Sequence, residues 1–396
     1  MSKILIVWEL GNDLGHLGSL HPLIEELNAK GHKIFLAVKD LSKLERFIWP
    51  TNIRVLQSPV HIPHSRQFST THCFADILAG VGFDCVQNLR PLVMAWISLF
   101  DLIEPDEIIF DHAPSALLAS SNRQVARIIF SNGFVTPPPN SPATNINLTH
   151  QIDQHILDTR DKNLVKVINQ VALDLNLEQI KYVSDIFNVD KIFISSYQEL
   201  DFYQQARKNV SYVKEILVAN QYIKPFWSLS SSQKIFAYLK YGFDPVIPIL
   251  DALSKTGANV VCFCANIPDQ LRQKYHSQTM FMSDAPFDIA AMYREVNVII
   301  CHGGKGLISF ALNYGCPMIL VPTQLEQLNT TKQLEKINVA VGIYKDDSSE
   351  KIETKVLSFF SNPNHTEAAK LFAYRTRDQS DLLSVKEAVN QCEEYL

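Results

Sequence analysis

The run Ile4–Val7 is apolar throughout, with no polar residue alternating into it. Such a run suits a strand buried on both faces of a parallel sheet. After a loop come Leu20, Leu23, Ile24 and Leu27, whose spacing marks one helix face. Gly31 ends this helix and Lys33–Val38 resumes as strand. A second helical stretch is expected over roughly Leu41–Trp49, then a short strand at Arg54–Leu56. Strands Glu107–Asp111 and Arg127–Ser131 flank a helix expected at Ser115–Asn122. Strands alternating with helices in this way predict an α/β fold with a parallel sheet.

The pattern starts again at Lys234. Lys234–Tyr238 reads as strand, and Asp244-Pro245 as a helix start with proline in the first turn. That helix runs to about Lys255, and Gly257 closes it. Strands are expected at Asn259–Cys264, Asn297–Cys301 and Met318–Val321. The 396 residues exceed one compact core. Two Rossmann-like βα domains are therefore expected, 1–216 and 217–380, with Ser228–Ser232 as a linker-like stretch. Leu382, Val385, Val389 and Cys392 keep helical spacing, so 381–396 is read as a final helix packing back on the first domain. In tandem domains of this kind ligands are sought in strand-following loops that face a cleft.

Only 14 residues are glycine, and six of them fall in two such loops. Cys301-His302-Gly303-Gly304-Lys305-Gly306 follows an apolar strand and precedes the helix Leu307–Tyr314, which Gly315 caps. Free backbone N–H groups and the positive end of a helix favour an anion there, and glycine permits close approach. The loop is not a Walker A motif: Ile299 and Gly306 stand where glycine and Ser/Thr are required. A tight turn without ligand is the alternative. The next strand leads to Pro322 and then Glu326-Gln327, an acid and an amide suited to sugar hydroxyls.

Taken in order, Pro286, His302-Gly303-Gly304-Lys305-Gly306, Gly315-Cys316-Pro317, Pro322 and Glu326-Gln327 resemble the donor-binding half of inverting GT-B glycosyltransferases. The likeness spans residues 280–343 and is to the UDP-glycosyltransferase, macrolide glycosyltransferase and MurG-like group. It implies that His302, Gly303 and Gly304, with Lys305 and Gly306, bind the donor diphosphate. It also implies that Glu326 and Gln327 hold donor-sugar hydroxyls. Leu307 departs from the family, which has Thr or Ser there; Ser309 lies nearby in sequence, and Asn329 is shifted from the usual asparagine place.

The first loop holds Gly11, Gly15, His16, Gly18 and His21. Asp13 stands where a dinucleotide fingerprint needs its second glycine, and Asp40 is the one feature favouring NAD. Gly15-His16 resembles the family's acceptor loop, in which a histidine is the general base. Imidazole suits that role because its ordinary pKa of ~6.5 lies near working pH. His21 is the rival base; His16 is favoured because its glycine-flanked loop leaves the ring room for substrate, and a plain helix-start histidine is the alternative. In the family an acid at the end of a later strand orients the histidine, and Asp111 holds that place. The alternative for Asp111 is an N-cap. His112, next along the strand, is expected to point away from Asp111. The stretches Asp111–Ala119, Phe74–Leu78 and Gly133–Pro138 also look like the bacterial branch of the group, whereas 140–190 match weakly. Gly15, His21 and Phe134 are taken as acceptor-side, and the four-proline stretch Gly133–Asn145 as a stiff lid or acceptor loop.

A net charge of −5 without basic runs speaks against nucleic acid as partner. No stretch approaches the ~20 apolar residues of a membrane span, and no secretory leader is apparent. The seven cysteines lack framework spacing and read as buried thiols. A cytoplasmic protein is expected, with attachment to the inner membrane face left open. His61, His64, His72 and Cys73 fit no usual zinc spacing, and no Asp-x-Asp triplet occurs, so no metal is expected. The expected activity is metal-independent inverting transfer from a UDP- or dTDP-linked sugar to a small-molecule, lipid or glycan hydroxyl, without cofactor. A nucleotide-sugar 2-epimerase and a non-catalytic helper of the same fold are the alternatives.

Overall fold

The computed structural model describes all residues except 12–13, 63–69, 216–222, 228–232, 293–294, 378 and 380. The expected linker Ser228–Ser232 and His64 lie outside the described residues. The chain divides into two compact units, Met1–Glu215 with Asp381–Leu396, and Ile216–Ser380.

The first unit contains β1 (Lys3–Trp8), β2 (Lys33–Val38), β3 (Arg54–Gln57), β4 (Glu107–Asp111), β5 (Ala126–Ser131), β6 (Lys191–Ser195) and β7 (Val210–Val213). The second contains β8 (Lys234–Lys240), β9 (Asn259–Ala265), β10 (Met280–Ser283), β11 (Val298–Cys301), β12 (Met318–Leu320) and β13 (Ala340–Gly342). The chain then returns to the first unit with β14 (Leu382–Leu383).

Among the described residues, the first sheet runs β14-β7-β6-β5-β4-β1-β2-β3 and the second β10-β9-β8-β11-β12-β13. Every pairing between these strands is parallel. Each sheet starts in its middle, adds two strands on one side, and then returns to the other side of its first strand. β1 and β4 border that reversal in the first unit, and β8 and β11 in the second. Loops leaving such neighbours diverge, so the carboxyl ends of these strands open a crevice. The continuous apolar run explains why β1 is central: Ile4, Leu5, Ile6 and Val7 are fully buried.

The helix Gly15–Ala29 buries Leu17, Leu20, Leu23, Ile24 and Leu27, the stripe its spacing predicts. Other expectations need correction. Leu41–Trp49 is not an α-helix but a short 3-10 turn, Leu41–Arg46, which Asp40 caps through the Ser42 N–H. Pro50 disfavours helical backbone at Trp49 and so ends the stretch early. The helix after β4 is Pro114–Ala119, shorter than expected. Pro245 is the N-cap of Val246–Ser254 and not in its first turn. Leu382 pairs in β14, and the final helix is Val385–Cys392. That helix packs on Gly15–Ala29, where Glu393 receives Lys30 and the His32 Nε2 at 3.0 Å.

Glu107 opens β4 fully buried, and among the described residues neither carboxyl oxygen has a partner. Burial, with the nearby charge of Glu393, pushes its pKa up to about 8. A raised carboxyl favours the folded state while neutral. Its contribution is therefore complete below the unfolded value near 4.5 and is lost as pH rises to about 8. Glu107→Gln removes that ionisation. We expect it to raise the thermal midpoint at pH 8 by several degrees and to change little at pH 4.5, as read by melting curves at the two pH values.

Candidate active site

β1 and β4 pair with Trp8 opposite Asp111. The helix that follows β1 starts at Gly15, so His16 sits in its first turn near the carboxyl end of β4. His16 Nδ1 lies 2.8 Å from Asp111 Oδ2, and the Ser131 hydroxyl donates to Asp111 Oδ1 at 2.6 Å. Asp111 is only 2% exposed. A buried carboxylate at Nδ1 favours the tautomer with its proton there, which leaves Nε2 as a proton acceptor. Gly11 has φ +95, and a Cβ on it would stand 2.3 Å from His16 Nε2. The bare Gly11 backbone therefore packs against this edge of the ring, where no side chain would fit.

Asp111 is not an N-cap. Ala113 holds that place, and the first N–H groups of Pro114–Ala119 are met by Glu9. Glu9 accepts from Ser115 N at 3.1 Å, Ser115 Oγ at 2.7 Å and Ala116 N at 3.3 Å. Burial raises its carboxyl to about 7. Glu9 thus ties the end of β1 to the segment after β4 and fixes the spacing of the pair. Sequence reasoning gave it no role. The only signal was an acid at the exit of an apolar strand.

His112 also departs from expectation. A φ of +44 takes it out of the strand, and its ring stacks on that of His16 at 5.9 Å. Burial and the neighbouring His16 push its pKa down to about 3, so it stays neutral. His21 does not fit the role of rival base or acceptor contact. It is 3% exposed, its Nε2 meets the Ile48 carbonyl at 2.8 Å, its Nδ1 lies 3.4 Å from Glu25, and its ring packs on Phe47 and Trp49. Its helix turns it inward, whereas His16 lies at the helix start.

Phe134 is half-buried against the first core. The start of its proline-rich stretch is pinned, because Arg207 donates to the Gly133 and Thr136 carbonyls and pairs with buried Asp201. His72 and Cys73 are buried, and among the described residues no group of three candidate ligands could hold a metal.

In the second unit, β11 delivers His302 to the reversal beside β8. His302 Nδ1 lies 2.8 Å from the Val321 carbonyl, and Nε2 accepts the Lys240 N–H at 2.8 Å. Burial lowers its pKa and favours this neutral form. Both ring nitrogens are committed to the protein, so this ring has no N–H to give a diphosphate. The His302 ring thus ties the end of β8 to the segment after β12. Gly303 has φ +87, a conformation glycine adopts without strain, and Gly304 is the N-cap of the helix Lys305–Tyr314. The first N–H groups of a helix lack intrahelical partners, and here they belong to the Gly304-Lys305-Gly306 turn. Leu307 is turned into the interior, as is Ser309.

The helix Leu325–Lys336 lies against this loop: a Cβ on Gly303 would come 3.6 Å from the Gln327 Cβ. Gln327 Oε1 accepts from Thr323 N at 2.9 Å and Thr323 Oγ1 at 3.0 Å. Its amide nitrogen is the end left to act as donor. Glu326 is in the first turn of the same helix. The expected donor residues, His302 included, therefore gather at one end of the second sheet.

Residues 251–383 match the family described as glycosyltransferase family 28 C-terminal domain. UDP-glucosyltransferase avaP of Aspergillus versicolor is 25% identical over 114 residues, which are 29% of this chain and 24% of that protein. The chain thus aligns with about a quarter of the length of this curated relative. Three solved structures resemble it over nearly their whole length. The glycotransferase of kitacinnamycin has a TM-score of 0.74 at 15% identity, covering 100% of this chain and 99% of its own. The spinosyn rhamnosyltransferase SpnG has 0.71 at 12%, covering 100% of both. The glycosyltransferase VinC, solved in complex with dTDP, has 0.71 at 13%, covering 99% of both. At such identities the likeness is one of fold. Residues 251–383 thus match a glycosyltransferase family 28 C-terminal domain, within a chain whose fold throughout is that of the GT-B glycosyltransferases.

Proposed function

We propose that the chain transfers a sugar from a nucleotide diphosphate sugar to an acceptor hydroxyl, inverting the anomeric carbon and using no metal ion or cofactor. The observation that carries this reading is the His16–Asp111 pair, 2.8 Å apart and backed by Ser131. Nε2 takes the acceptor proton as the acceptor oxygen bonds to the anomeric carbon. The bond from that carbon to the diphosphate oxygen breaks on the opposite side, and the diphosphate leaves with its electron pair. Asp111 holds the resulting imidazolium.

In the second unit the backbone at Gly303, Gly304 and Gly306, with Lys305, receives the diphosphate charge. Glu326 accepts from donor-sugar hydroxyls and the Gln327 amide donates to them. Gly15 and Phe134 border the acceptor. Among the described residues no helix is long and apolar enough to cross a membrane. We place the protein in the cytoplasm, where its thiols stay reduced. VinC was solved with dTDP, and avaP is named for UDP-glucose, so both bases are candidates.

The test is a thermal-shift panel of UDP, dTDP and their sugars in the presence of EDTA. A ligand at 100 times its Kd stabilises by about 2.7 kcal/mol, a rise of several degrees. At least one nucleotide diphosphate is expected to give that rise. No shift with any of them contradicts the reading.

A further inference from the structure

His16 is in contact with more than Asp111. The Trp8 indole stacks on its ring at a centroid distance of 5.6 Å and an interplanar angle of 21°. The His112 ring stacks on it at 5.9 Å and 28°. Trp8 is itself fixed: it is 1% exposed, ends β1, and donates from Nε1 to the Leu10 carbonyl at 2.6 Å. His112 is fixed by its backbone, whose carbonyl accepts the Leu10 N–H at 3.0 Å. Leu10 therefore ties both rings to one residue of the loop that leads to His16.

We propose that Trp8 and His112 are positioning residues that set the plane of the His16 ring, Trp8 favouring its charged form and His112 serving as a neutral ring that does not take the proton. The inference rests on His16 being the base. A hydrogen bond at Nδ1 alone lets an imidazole rotate about the line to its acceptor, and rotation swings Nε2 away from a hydroxyl. Two near-parallel rings suppress that rotation. Their effects on charge differ. An indole face attracts a cation, more so when both are withdrawn from water. The His112 ring nitrogens are sealed from solvent and, among the described residues, without a hydrogen-bond partner, and a second positive charge beside His16 would be costly. The proton taken by His16 therefore stays on His16. Among the described residues, the other titratable groups nearby include Asp111 at the ring edge, Lys39, whose Nζ donates to the Gly11 carbonyl at 2.9 Å, and Glu9 beneath Ser115.

The experiment is an NMR titration of histidine side chains in the full chain, with His16→Ala identifying the His16 signal. Trp8→Leu is expected to move the His16 midpoint down by roughly half to one pH unit, and Trp8→Phe to restore most of it. An unmoved midpoint in a folded Trp8→Leu protein overturns the role of Trp8. Transfer assays supply the second readout. Trp8→Leu and His112→Ala are expected to lower kcat at least tenfold with donor KM nearly unchanged, and His112→Phe to retain more kcat than His112→Ala. Equal loss in the two His112 variants overturns the neutral-ring role. If the wild-type chain transfers no sugar at all, the glycosyltransferase reading fails, while the titration still decides whether Trp8 acts on His16.

Discussion

His16→Ala is expected to lower kcat by two to four orders of magnitude, roughly what a positioned general base contributes, while nucleotide diphosphate binding stays within a factor of a few. The split follows from where the groups sit. The Gly303–Gly306 loop and the Glu326–Gln327 turn belong to the second unit, which has its own core and sheet. His16 belongs to the first, on the helix that follows β1. Removing the imidazole also takes one partner from Asp111, a buried carboxylate whose Oδ2 faces His16. A modest loss of stability should accompany the loss of rate. Asp111→Asn is expected to act in the same direction, because an amide no longer stabilises the imidazolium. Steady-state rates with donor titrations check both variants. Near wild-type transfer by His16→Ala removes the base from the account.

Gly11→Ala is expected to cost at least a hundredfold in kcat although it deletes no functional group. Its methyl would lie 2.3 Å from His16 Nε2, well inside contact distance. Either the ring shifts off Asp111 or the loop moves, and displacement of a reacting group by about 1 Å costs on the order of 10² in rate. The φ of +95 adds backbone strain of about 1 kcal/mol or more. Gly18→Ala is the control. It lies in the helix that carries His16, and the nearest neighbour of its Cβ position is Phe47 Cζ at 4.0 Å. That variant is expected to keep its rate and to melt slightly higher, since alanine is the better helix former. Equal loss in both glycine variants would point to general disturbance of this segment instead of displacement of the His16 ring.

Runs such as Ile4–Val7 and Asp111's strand made the sheet positions readable, because a strand covered on both faces has to be apolar throughout. Asp111 was placed at a strand end by the same logic, and the contact with His16 follows from β1 lying beside β4. Residues 140–190 were harder to read. The helix Gln154–Asp174 buries Leu157, Asp161, Leu164, Ile168 and Val171, a regular stripe with an acid in it. Asp161 is tolerated because it accepts the Val183 N–H and because burial raises its pKa to about 6, keeping it partly neutral near pH 6. His112 was misread because period-two alternation was carried one residue past the strand, where φ turns positive. The His302 ring was taken as a phosphate contact from its motif alone. Its partners, the Val321 carbonyl and the Lys240 N–H, lie 19 residues ahead and 62 behind, so no local pattern reveals them.

The central claim is a single displacement, in which an acceptor oxygen deprotonated by His16 attacks opposite the leaving diphosphate. The most direct measurement is the anomeric configuration of the glycoside, read by proton NMR from a reaction containing EDTA. The account predicts the configuration opposite to that of the donor, formed at an undiminished rate with the chelator present. A product that keeps the donor configuration, or a reaction that stops on chelation, would contradict it.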